Sequence, residues 1–172
     1  WIARTAARNA GGVERMMRAA VVTGHGMAAV VGNRGMRAIT GAARAIVGTE
    51  WFPQWSADVP RRARPLPRTS AADAQAVYFP ACMVRMFGRI DGEPDQPSAP
   101  EALVALARRA SVPVHIPEDI NGSCCSTPWH SKGFDEGDAE MANRTLERLW
   151  RWSDGGRLPV VVATEESRKR TS

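Results

Sequence analysis

Apolar residues recur at helical spacing through the first part of the chain. Val13, Met16, Met17, Ala20 and Val21 share one side of a helix, and Ile39, Ala42, Ala43, Ile46 and Val47 repeat the pattern. Gly24, Gly26, Gly32 and Gly35 interrupt it, which predicts several short helices across residues 1–49 rather than one rod. A small helical packing unit explains this segment better than a helix lying on a membrane surface. Residues 50–75 lose the periodicity: Trp51, Pro53, Trp55, Pro60, Pro65 and Pro67 stand among Arg61, Arg62, Arg64 and Arg68. That proline density forbids a helix and predicts an extended connector, anchored on a core by its two tryptophans.

Residues 76–163 read as an α/β unit. Ala76 to Pro80 is a short β-prone run that ends at a breaker. Ser98 followed by Glu101 is a capping box with Pro100 in the first turn, so a helix carrying Leu103, Val104, Leu106, Ala107 and Ala110 follows. Val112 to Pro117 is a second strand, and its internal Pro113 limits it to a sheet edge or a strand start. Asp138 caps a further helix with an apolar face of Met141, Ala142, Thr145, Leu146, Leu149 and Trp150. Ser153 to Gly156 stops it, and Leu158 to Ala163 is a third strand. Strand, helix, strand, helix, strand predicts an α/β fold: a small parallel wound sheet with flanking helices, preceded by the helical segment. Residues 164–172 are a polar tail.

Composition narrows the classes further. The 172 residues are 44% hydrophobic and 24% charged, which allows a real core and excludes a disordered chain. The longest apolar run, Ala19 to Val31, contains Thr23, Gly24, His25 and Gly26 and fails as a membrane span. Net charge is +5, yet of 23 basic residues only Lys132 and Lys169 are Lys. With abundant Ala, Gly and Pro, this looks like a GC-rich bacterial composition in which Arg is background, so no nucleic-acid partner is expected. Trp1 in place of Met predicts a fragment or processed product, and three cysteines point to a reducing compartment.

Those cysteines share an address. Cys82 lies two residues beyond the first strand, and Cys124 and Cys125 follow the second by the short loop Glu118–Ser123. In a parallel sheet both loops fall at the carboxyl edge, where wound α/β folds place their ligands. The thiols are therefore expected to converge. Adjacent cysteines seldom bond to each other because the ring is strained, and a vicinal pair beside Gly122 can instead offer soft ligands to iron–sulfur or zinc. The plain alternative is three small buried hydrophobes. His130, or His115 in the second strand, is a candidate to complete a zinc or mixed site, although His130 reads more simply as a loop residue bonded to backbone. Lys132-Gly133 is a weak anion signal, Asp91, Glu93 and Asp95 form a solvated loop, and no Ser-His-Asp arrangement stands out.

Val77-Tyr78-Phe79-Pro80-Ala81-Cys82 and Gly122-Ser123-Cys124-Cys125-Ser126-Thr127-Pro128 resemble the cysteine-rich "CCG" domain. That domain occurs in heterodisulfide reductases, glycolate oxidase iron–sulfur subunits and lactate-utilisation proteins. Phe79 to Gly88, Trp129 to Phe134 and Leu149 to Val162 look like the C-terminal part of bacterial FAD-linked D-lactate dehydrogenases fused to an iron–sulfur module. The helical start with Trp51-Phe52-Pro53-Gln54-Trp55 is similar to the stretch that joins the ferredoxin-like and CCG parts there.

The resemblance implies the iron–sulfur electron-transfer portion of a D-lactate dehydrogenase-like oxidoreductase, in which a flavin oxidises a 2-hydroxy acid and electrons leave to a cytochrome or quinone-side acceptor. It assigns Cys82, Cys124 and Cys125 as ligands of an iron–sulfur cluster of the 4Fe-4S kind, and Gly122 and Pro128 as loop-shaping residues. FAD would belong to the full-length protein only. The partners would be its flavin-binding and ferredoxin-like parts, and the setting cytoplasmic or peripheral on the inner face of the membrane. The alternatives are a separate iron–sulfur subunit of a heterodisulfide reductase or glycolate oxidase-like complex, or a cluster-free remnant with a structural role. Two departures stand out. Ser126 replaces the glycine of Cys-Cys-Gly and is expected to cost little at negative φ. After Val162 the family's Asp and Ser-Cys are missing, which suggests a frameshift or truncation that removes a ligand.

Overall fold

The computed structural model describes residues 2–49 and 53–163; Trp51 and the 164–172 tail, both invoked above, lie outside the described residues. Helices α1 (Ile2–Arg8) and α2 (Ala10–Val47) come first. Then follow β1 (Ala76–Pro80), α3 (Cys82–Met86), α4 (Ala99–Arg109), β2 (Val114–His115), α5 (Thr127–His130), α6 (Asp135–Trp152) and β3 (Val160–Ala163). The three strands form one parallel sheet in the order β2-β1-β3, so the expected α/β class with a parallel sheet and a leading helical segment is what the chain adopts. Among the described residues no helix is long and apolar enough to cross a membrane.

β1 is central, and all five of its residues are buried, as a strand covered on both faces requires. It pairs Val77 with Val160 through Pro80 with Ala163 on one side, and Ala76 and Val77 with Val114 and His115 on the other. Tyr78, Phe79, Val104, Val114, Ile116 and Ile120 make the main core, with Trp152 tilted against Phe79 at 6.3 Å between ring centres. β2 is shorter than the expected 112–117 because Pro113 and Pro117 have no N–H to add to the ladder; Pro113 serves only as acceptor, for the Gln75 N–H at 2.8 Å. The Ser98–Glu101 capping box forms as expected, with Pro100 in the first turn of α4.

Three expectations need correction. The expected break occurs at Gly32, where φ is 72° and ψ 164° and two helices meet at a kink within α2, but Gly24, Gly26 and Gly35 do not interrupt the helix. A glycine costs a helix about 1 kcal/mol, which packing can offset. At Gly24 the offset is visible, because a Cβ there would stand 2.6 Å from the Trp55 ring. Trp55 anchors the connector on α2 through Asn33 (2.9 Å) and Thr40 (3.1 Å), and His25 meets its ring edge-on. Second, Asp138 does not cap α6. The helix starts three residues earlier, after Phe134, and Asp138 sits in its acidic first turn. Third, Leu146 and Trp150 are exposed, so the buried face of α6 is narrower than the pattern suggested and centres on Met141 and Thr145.

The connector from Val59 to Ala63 is extended, as expected. Ala63 donates to Met86 O at 3.1 Å and Gly88 donates to Arg61 O at 2.6 Å, so this stretch lies alongside the segment that follows Cys82.

Candidate thiol site

Cys82 begins α3 directly beyond β1, and the loop after β2 delivers Cys124. Their sulfurs lie 3.4 Å apart, although 42 residues separate them in sequence. The convergence expected at the carboxyl edge is present for this pair. Cys124 is buried and Cys82 partly exposed. Cys125 is exposed, and its sulfur contacts Thr127 Oγ1 at 3.2 Å. The vicinal pair thus splits between interior and surface.

Each backbone carbonyl from Asp119 to Ser123 accepts a guanidinium N–H. Arg85 donates to Ile120 O and Ser123 O. Arg148 donates to Asp119 O at 3.3 Å and Asn121 O at 3.2 Å, and Arg144 donates to Gly122 O at 2.8 Å. Arg144 and Arg148 stand one helical turn apart on α6, so one helix face supplies both. Thr145 lies between them and clamps Cys124: its hydroxyl accepts from Cys124 N at 3.3 Å and donates to Cys124 O at 2.9 Å.

The back wall comes from the helical segment. Glu14 accepts from Gly122 N at 3.0 Å and pairs with Arg85 at 3.5 Å, both side chains being almost fully buried. Gly122 has φ +77°, and a Cβ on it would approach Gly11 N of α2 to 2.6 Å. The position therefore admits glycine for its backbone and for its contact alike. Ala7, Ala10, Met141 and Cys124 form a second buried cluster, with Cys82 and Trp129 packed on it. Trp129 donates from its indole to Ala3 O at 3.2 Å.

The electrostatics separate the two inner thiols. The hydrogen bond from Cys124 lowers the Cys82 pKa to about 7; burial opposes the shift and Arg85 assists it. Cys124 is driven the opposite way, chiefly because it donates to Cys82 and also because it is buried. Cys82 is thus the more acidic thiol of the pair. Burial lowers the Arg85 pKa, against the opposing pull of Glu14 and of both sulfurs.

The histidines bond to other partners. His130 Nδ1 lies 3.1 Å from Asp138 Oδ2, not on backbone as expected, and His115 Nδ1 lies 3.4 Å from Thr69 Oγ1. Among the described residues no three His, Cys, Asp or Glu side chains gather closely enough to hold a metal ion. Asp138 also accepts the Ser126 hydroxyl, and these two contacts, Ser126 first, hold its carboxyl below the usual carboxylate range. The serine proton goes to Asp138 and not to histidine, so the trio is no nucleophile triad. Ser126 itself has φ 62°, ψ −5°, which corrects the expectation of negative φ. Its left-handed backbone is the kind glycine adopts freely, and a serine there costs about 1–2 kcal/mol, countered by the bond to Asp138.

A 4Fe-4S cluster takes four thiolates, and the chain has three cysteines. Two of the three fit soft-metal ligation. Thiolates held at about 2.3 Å from one tetrahedral metal stand about 3.8 Å apart, close to the 3.4 Å between Cys82 and Cys124. The pair therefore fits two ligands on one shared metal rather than a 4Fe-4S cluster, whose thiolates each bind a different iron. Cys125 would have to turn from Thr127 to join them. The sequence reading missed Glu14, Arg85, Arg144 and Arg148. A lone acid in a basic helix and arginines one turn apart were the available signals, and the treatment of Arg as background hid them.

Compared with protein families, curated proteins and solved structures, the chain matches none.

Proposed function

We propose that this chain is the iron–sulfur electron-transfer portion of a flavin-linked oxidoreductase of the D-lactate dehydrogenase kind, serving oxidation of a 2-hydroxy acid and delivery of electrons to a cytochrome or quinone-side acceptor. The observation that carries the proposal is the 3.4 Å approach of Cys82 to Cys124 at the carboxyl edge of the sheet. The resemblance of the segments around both cysteines to the CCG domain supplies the substrate class and the acceptor. Cys82 and Cys124 would hold one shared iron of the cluster, with Cys125 beside them and a further donor from outside this cysteine set. A cluster bound there would pass single electrons between flavin and acceptor.

The residues around the pair suit that role. Arg85 places a buried cation near Cys82, which favours its thiolate. Thr145 and the arginine-held carbonyls fix the Cys124 backbone, so donor spacing does not depend on a mobile loop. The test is anaerobic purification and reconstitution with iron and sulfide. The expected result is iron and acid-labile sulfide in equal amounts, with a reducible paramagnetic signal lost in Cys82→Ser and Cys124→Ser. A protein that stays iron-free, or holds iron equally well after Cys124→Ser, overturns it.

A further inference from the structure

Cys82 and Cys124 are both free thiols, and their sulfurs are already in contact at 3.4 Å. A disulfide needs about 2.05 Å, so the sulfurs have about 1.4 Å to close. Both backbones are fixed, Cys82 by its place at the end of the paired β1 and Cys124 by the two-sided bond from Thr145. Side-chain rotation must therefore supply the closure. The two thiols differ in access. Cys82 is partly open, whereas Cys124 is 5% exposed and lies behind it.

We propose that Cys82 and Cys124 form a dithiol couple oxidised by hydrogen peroxide, with Cys82 as the reacting thiol and Cys124 as the resolving one. This goes beyond the cluster reading, because it concerns the metal-free chain and requires no iron. The Cys82 sulfur attacks one peroxide oxygen and breaks the O–O bond, giving a sulfenic acid and water. The Cys124 sulfur then attacks the Cys82 sulfur, the S–O bond breaks, and a second water leaves with the Cys124 proton. In sum the two thiols lose two electrons and two protons, and one peroxide becomes two waters. A small oxidant suits the partial burial of Cys82. Cys125 takes no part, because its sulfur faces Thr127 at the surface and a ring closed with Cys124 would be strained. The disulfide would withdraw two thiolates from any metal, so the couple and a metal centre exclude each other.

The test treats the full chain, freed of metal by a chelator, with one equivalent of peroxide, then alkylates the remaining thiols and maps the peptides. The expected outcome is a fall from three free thiols to one, a Cys82–Cys124 cross-linked peptide, and Cys125 alkylated. Cys124→Ser should instead accumulate a sulfenic acid on Cys82 that a carbon nucleophile traps. A disulfide containing Cys125, or three thiols still alkylatable, overturns the proposal, and the wild-type mapping decides even if the variant fails to fold. Iron content takes no part in the readout, so failure here and failure of the cluster reading are separate results.

Discussion

The sheet and the long helix α2 are held in different ways. Every residue of β1 is buried, and its neighbours add Val104, Val114, Ile116 and Ile120 to one apolar core. α2 buries Ala10, Glu14, Val21, Met36 and Thr40, and leaves Val30 at 85% and Ile46 at 86% exposure. Its attachment is directional. Glu14 reaches Arg85 and Gly122, Arg18 reaches Arg85 O and Ala63 O, His25 reaches Val59 O, and Thr40 reaches Trp55 N. Apolar burial tolerates small shifts, whereas hydrogen bonds and a buried ion pair tolerate few. The helix is thus tied to the cysteine loop by contacts that either form fully or cost heavily.

Arg85→Met should show the largest effect. It removes two carbonyl bonds and strands Glu14 as a buried charge, a change worth about 3–5 kcal/mol, read by urea unfolding. Replacing both partners by apolar residues should recover much of that loss, since no charge is then left unpaired. Met141→Ala should cost about 2–4 kcal/mol, because Met141 is fully buried in the cluster behind Cys124. A loss below about 1 kcal/mol would mean that this cluster is looser than the β1 core.

A smaller effect is expected at the α4 cap. Ser98→Ala should cost about 1 kcal/mol at neutral pH by thermal melting. The Ser98 N–H, its hydroxyl and Arg64 hold the Glu101 carboxyl below its ordinary value, the backbone bond contributing most. A lowered folded-state pKa means that the stabilisation is fully present above the unfolded carboxylate value of about 4.3. It disappears as pH falls through the lowered one, so the wild-type and Ser98→Ala melting curves should draw together in acid. Smallest of all, Val30→Ala should change stability by no more than about 0.5 kcal/mol, as an exposed site away from such features does. A larger loss would show that α2 is covered in solution.

Local chemistry is what the sequence exposes. β1 occupies the same five residues that its β-prone run and terminal proline indicate, and the capping box at Ser98 starts α4 where its spacing requires. That the loops carrying Cys82 and Cys124 share one sheet edge follows from strand order. What stayed hidden depends on partners distant in sequence. The continuity of α2 through Gly24 needs Trp55 above it, and the role of Glu14 needs Arg85 and Gly122. The left-handed backbone of Ser126, where the cysteine loop enters α5, and the use of Asp138 as its acceptor rather than as a helix cap depend on how α6 packs back against that loop. No local pattern encodes them. The opposite facing of Cys124 and Cys125 also stayed hidden, because Thr145 and Met141 are what hold Cys124 inward.

A trivalent aryl arsenical bridges two thiols only where their sulfurs already lie close together, so it tests most directly whether Cys82 and Cys124 are paired. Titrated into the metal-free reduced chain, it should bind one equivalent tightly and leave one thiol free to alkylation. The Cys82→Ser variant should lose that tight binding even though it keeps both neighbours Cys124 and Cys125. Undiminished binding in that variant would place the reactive pair in the vicinal cysteines and contradict the account.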